Sequence, residues 1–166
     1  MPRLPAVIEL LPTLREAGID WPPGPSRVTR HGDSAELTVV LLELIRAGHK
    51  RGRTELWLAL DHDKEPLPEA GMTEIVVDHR HRPVLLTRVN RVELCRYDRV
   101  TPEHAAIEGE GDGSLTYWRK ARWASFSREC ARIGEKPSES MLVVCSVFEV
   151  LAQVRPGAGP SAAPAG

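Results

Sequence analysis

Glu108-Gly109-Glu110-Gly111-Asp112, followed by Ser114-Leu115 and Trp118-Arg119, is the stretch on which the reading of this chain turns. Two carboxylates one residue apart, carried between glycines and running into an aromatic-rich segment, have the character of a binding-site rim. Immediately upstream, Thr101-Pro102-Glu103 supplies an N-cap, a first-turn proline and an acidic first turn, which predicts a short helix over residues 102–108. The glycines end it. Downstream, Ser114 opens a longer helix with Leu115, Trp118, Arg122, Phe126, Cys130 and Ile133 along one face and Gly134 as its stop. Arg122 is the one polar member of that face.

Further out, Ser34 is a good N-cap for a helix whose apolar face is Leu37, Val40, Leu41, Leu44 and Ile45, and Gly48 terminates it. Lys50 therefore falls just past a helix end. The period then changes. Residues 54–60, 73–78 and 84–96 are short, β-branched-rich segments separated by turn chemistry, as expected for strands of a small antiparallel sheet or barrel. Residues 141–154 carry the dense run Met141-Leu142-Val143-Val144-Cys145, expected of a strand buried on both sides that closes the sheet. Residues 1–30 read as a helical appendage over 4–17 with a connector, Trp21-Pro22-Pro23-Gly24-Pro25. Residues 31–154 read as one α+β domain, and 155–166 as a Pro/Ala/Gly tail without a core to join, hence disordered.

With 166 residues and 42% hydrophobic content, the chain suffices for one sizeable core. A formal net charge of −1 excludes the global basicity of a bulk nucleic-acid binder, so phosphate affinity would have to come from a local patch. Arg46, Lys50, Arg51 and Arg53 form one such patch, and Arg119, Lys120 and Arg122 another. The three cysteines lack C-x-x-C spacing, which argues against a disulfide framework or structural zinc and fits a reducing, cytoplasmic setting. Asp78-His79-Arg80-His81 precedes Pro83 and reads as a polar turn. No metal or cofactor is expected, no apolar run approaches membrane-spanning length, and the sequence assigns no oligomeric state.

These motifs, in this order, resemble the ASCH family. His31-Gly32-Asp33-Ser34 is similar to the family's FGDS before the first helix, and Pro66-Leu67-Pro68 with Gly71 to its PLPxxGD turn. Val100-Thr101, Ala105, Ala106, Glu108 to Asp112, Ser114-Leu115, Trp118-Arg119 and Trp123 are similar to its long EGEGD.SL..WR block. The resemblance runs from about Arg30 to Val154. It implies a PUA-like small β-barrel with flanking helices. It also implies RNA or modified-nucleoside chemistry, since members have been described as nucleoside amidohydrolases, as ribonucleases and as coactivator domains. The family's proposed catalytic set is the lysine and threonine of a G-x-K-x-x-T element with a glutamate from the EGEGD segment. By position these are Lys50 and Glu108, and the threonine position holds Arg53. Thr54 lies one residue late, and in a strand that offset turns it to the opposite face. Arg122 stands where the family usually has histidine, and Ser125 where it has an aromatic residue.

Together these readings define a candidate site. Lys50 and Glu108 are its candidate catalytic pair, and Arg53, Arg119, Glu110 and Trp57 its candidate ligand contacts, in a cationic cleft that takes RNA or a nucleotide- or nucleoside-like ligand. Arginines and burial would lower the lysine's pKa, while nearby carboxylates would raise it. Ribonuclease action is one outcome. The alternatives are hydrolysis of acylated, N4-acetylcytidine-type nucleosides and a noncatalytic RNA-binding or regulatory module.

Overall fold

In a computed structural model that describes residues 3–155, the chain runs α1 (Val7–Glu16), β1 (Ser26–Thr29), α2 (Ala35–Arg46), β2 (Gly52–Leu56), α3 (Trp57–Asp63), β3 (Thr73–Val77), β4 (Pro83–Arg96), a 3-10 turn (Tyr97–Arg99), α4 (Pro102–Glu108), α5 (Leu115–Ile133) and β5 (Leu142–Gln153). The disordered-tail expectation falls, from residue 156 onward, outside the described residues. The strand order is β1-β3-β4-β5-β2. β1 lies parallel to β3, and every other pairing is antiparallel. Five helices surround this mixed sheet, which makes the fold α+β.

Three apolar clusters hold the layers together. Leu10 and Leu14 of α1 pack with Val28, Ile75, Val77 and Leu86, so the N-terminal helix is bound to one face of β3. Burying two leucines contributes about 2 kcal/mol each, enough to hold a ten-residue helix that would be marginal alone. On the opposite face, Val76 meets Leu42 and Ile45 of α2 together with Leu85 and Phe148. This is why all five residues of β3 are buried. The third cluster joins Leu56, Ala59, Tyr97, Ala105, Trp118, Phe126, Cys130, Val143 and Cys145 beneath α3, α4 and α5.

Two local expectations need correction. Residues 54–60 are not one strand: β2 ends at Leu56, and Trp57-Leu58-Ala59-Leu60-Asp61-His62-Asp63 is helical. A short apolar run does not distinguish a buried strand from a buried helical turn, and the alternating burial of β2 stops where Ala59 and Leu60 turn inward together. Residues 26–29, expected to belong to the connector, form β1. Its partner lies far along the chain, so no local pattern announces it.

The sheet is not closed by backbone pairing. Its two edge strands are instead joined by side chains. Arg27 of β1 donates to Glu55 of β2 at 2.8 and 3.2 Å and to Glu74 of β3 at 2.5 Å. Arg53 of β2 donates to the Thr29 hydroxyl of β1 and to the Arg30 carbonyl, the latter at 2.8 Å. The sheet thus curls into a barrel-like form with an ionic seam. Within the seam, burial opposes ionisation of Glu55, but Arg53 and Arg27 outweigh it and hold the carboxyl below its ordinary range.

Candidate functional site

The turn after α2 and the α4–α5 connection are distant in sequence, and a backbone contact brings them together. Arg51 N–H donates to the Ile107 carbonyl at 2.9 Å, and Gly109, with φ +64°, passes so close that a methyl group there would sit 1.8 Å from the His49 carbonyl oxygen. Only glycine fits such an approach in left-handed backbone. Glu108 and Glu110, on either side of Gly109, are thereby laid against Lys50.

Lys50 is 1% exposed and Glu108 fully buried. The Lys50 Nζ lies 3.8 Å from Glu108 Oε1 and 3.6 Å from Glu110 Oε2, and donates to the Gly52 carbonyl at 2.8 Å. The two oxygens of Glu108 have different surroundings. Oε2 is anchored toward the core by the Trp118 indole N–H and the Thr54 hydroxyl at 3.2 Å, with His104 Nε2 at 3.9 Å. Oε1 faces the cations, accepting from Arg122 Nη2 at 3.0 Å with Lys50 beyond. The same Arg122 nitrogen donates to Glu110. Formal charge balances here, with Lys50 and Arg122 set against Glu108 and Glu110.

Burial alone would push the Glu108 carboxyl up, but Arg122, Lys50, His104 and the indole donor reverse this and hold it at about 2. Burial also dominates at Lys50, drawing its pKa down in spite of Glu108 and Glu110. The His104 imidazole is likewise pushed down, chiefly by burial. The arrangement supplies an ionised, oriented carboxylate, an ammonium that gives up its proton more readily than usual, and a guanidinium between two acids.

Of the candidates that the sequence suggests, Lys50, Glu108 and Glu110 are brought together. Arg53 points from the other face of β2 into the seam, as its one-residue offset from Thr54 requires. Arg119 is exposed on α5, where its carbonyl accepts the Tyr97 hydroxyl at 2.7 Å. Trp57 opens α3 and lines a surface groove with Leu60, Lys64 and Pro66. Four residues of the cluster are not among those candidates: Arg122, Trp118 as an indole donor, Thr54 and His104. Arg122 left a signal. It lies four residues from both Trp118 and Phe126, and is the one charged residue on that buried face. Thr54 and His104, 3.0 Å apart, belong to elements whose packing no local pattern reveals.

The comparisons agree with this architecture. A family model for the ASCH domain matches residues 28–152. The chain belongs to the ASCH domain family. Its structure is similar to that of an ASCH domain from Lactobacillus crispatus JV V101, with 31% identity, TM-score 0.70 and coverage of 76% of this chain and 79% of that one. It is also similar to a protein from Enterococcus faecalis V583, with 27% identity, TM-score 0.72 and coverage of 85% and 84% respectively. No curated protein matches the chain. Among the described residues of this ASCH protein, no group of three or more His, Cys, Asp or Glu side chains is placed to hold a metal ion, and no helix is long and apolar enough to cross a membrane. The Asp78 carboxylate instead accepts from the Arg80 and Arg82 backbone amides at 2.8 and 2.9 Å, closing its turn.

Proposed function

We propose that this ASCH protein binds a nucleoside- or nucleotide-like ligand, free or within RNA, at the Lys50–Glu108 centre. The supporting observation is the buried meeting of Lys50, Arg122, Glu108 and Glu110, which offers donors and acceptors side by side. A base edge carries the complementary pattern, and carboxylates and arginine are suited to reading it. Replacing a whole buried ion-pair cluster by well-packed apolar residues is often neutral or stabilising, even though removing one partner is costly, so charged side chains kept together in the core are better accounted for by ligand recognition than by folding. The balanced charge favours contact with a base over capture of a phosphodiester backbone. Three free cysteines fit a reducing, cytoplasmic setting.

Calorimetric titration with cytidine, cytidine monophosphate and a short single-stranded RNA tests this reading, with Lys50→Met as the comparison. Binding by the wild type and its loss in the variant are expected. If none of the three binds at millimolar concentration, or if Lys50→Met binds equally well, the reading fails.

The depressed Lys50 pKa favours a second reading, hydrolysis of an N-acylated nucleoside. Water would attack the acyl carbon with its proton passing to Glu108, and the Lys50 ammonium, which releases its proton readily, would protonate the departing amino nitrogen as the C–N bond breaks to give acetate and the free nucleoside. Arg53 is turned into the seam and the Thr54 hydroxyl is committed to Glu108 at 3.2 Å, so water is taken as the attacking group. Release of acetate from N4-acetylcytidine by the wild type and not by Lys50→Met is its test.

A further inference from the structure

The Arg122 side chain is 13% exposed, and its Nη2 is shared by Glu108 and Glu110. Its Nε–H is buried and has no hydrogen-bond partner. A buried donor left unpaired costs on the order of 1–3 kcal/mol, and folded proteins rarely keep one without a use. The neighbours of this donor are informative. Lys50 lies 3.6 Å from the carboxylate oxygen of Glu110 that Arg122 also engages, so the guanidinium stands in the candidate site and not beside it. An anionic acceptor brought to Nε would meet Glu108 and Glu110, whereas a neutral carbonyl oxygen would complete the donor without adding like charge.

We propose that Arg122 reads the ligand, its unpaired Nε–H donating to a neutral carbonyl oxygen such as a pyrimidine ring carbonyl or the acyl carbonyl of an N-acylated base. The inference rests on the ligand-binding reading above and deepens it, making Arg122 a determinant of specificity. Arg122 engages both carboxylates through Nη2 alone and keeps its Nε–H unpaired.

The test is nitrogen–proton NMR of the arginine Nε–H groups in the full chain, with Arg122 assigned through Arg122→Lys, during separate titrations with cytidine, N4-acetylcytidine and inorganic phosphate. The Trp118 indole N–H, bonded to Glu108, reports occupancy independently. Cytidine is expected to shift both signals if the ring carbonyl is read, and N4-acetylcytidine alone if the acyl carbonyl is read. Arg122→Lys, which keeps the charge but lacks Nε, is expected to lose affinity by about tenfold, the scale of one charge-assisted hydrogen bond, while retaining its fold by circular dichroism. A shifted indole with an unmoved Arg122 Nε, and a Lys variant binding within twofold of wild type, overturns this role and leaves nucleoside binding standing. A response to phosphate alone overturns the neutral acceptor. No response at either signal with any nucleoside overturns the role together with the reading beneath it.

Discussion

Replacing Glu108 by glutamine is the most direct perturbation of this molecule, because the change is nearly isosteric and removes one charge. In the native protein Glu108 faces Arg122 at 3.0 Å and Lys50 at 3.8 Å, with no exposure to water. Its carboxyl is held at about 2, against an ordinary value of 4.5. The unfolded chain therefore binds this proton more readily than the folded one. Its contribution to stability is fully present above about pH 4.5 and is lost as the pH falls toward 2. A shift of that size corresponds to about 3 kcal/mol. Removing one partner from a buried ionic cluster costs about 3–5 kcal/mol, the same range by an independent route. Urea denaturation of wild type and Glu108→Gln across pH 2–7 should show a gap of about 3 kcal/mol at pH 7 that closes toward pH 2. A gap below about 1 kcal/mol at neutral pH, or one that does not narrow in acid, would refute the account of Glu108 as an ionised, multiply bonded carboxylate.

Gly109→Ala is expected to destabilise the chain by more than about 2 kcal/mol, measured by denaturant midpoint, since the added methyl group meets the His49 carbonyl in left-handed backbone. Trp118→Phe should keep much of the ring packing against Tyr97, 5.4 Å away, but remove the indole donor. A cost of about 1–3 kcal/mol and an upward move of the Glu108 carboxyl in a carbon-detected NMR titration are expected. Arg27→Ala deprives the buried Glu74 of its arginine and leaves Glu55 with Arg53 at 3.5 Å, and a loss of about 3–5 kcal/mol by thermal or chemical unfolding is expected.

How much of this is legible in the sequence depends on the range of the interaction. α2, α4 and α5 are readable because Ser34, Thr101 and Ser114 cap them through their own hydroxyls, and Gly48, Gly109 and Gly134 follow their ends. β3, β4 and β5 announce themselves by composition. α3 escapes because seven residues of mixed apolar character carry no decisive period, and β1 because a four-residue strand acquires its meaning from β3. At the site, Lys50 and Glu108 emerge from family resemblance, and their contact requires the Gly109 approach. Arg122 is visible as an anomaly on an apolar face, yet Arg119, one residue after Trp118, is the more obvious candidate in sequence. The α-helical turn of about 100° per residue carries Arg119 away from the cluster, whereas a spacing of four keeps Arg122 on the Trp118 face.

The seam has a dynamic consequence. Since β1 and β2 meet through Arg27, Arg53 and their acceptors and share no backbone ladder, parting them breaks side-chain contacts while every interstrand amide bond stays intact. Opening there is thus a sub-global event, separable from melting of the long β4–β5 pairing. Native-state deuterium exchange followed by NMR should accordingly report the Arg27 and Arg53 guanidinium N–H groups turning over sooner than the ladder amides of Val143 and Val144. The curled sheet behaves as a cuff with a clasp, whose tension is set by a few arginines and glutamates and not by its weave.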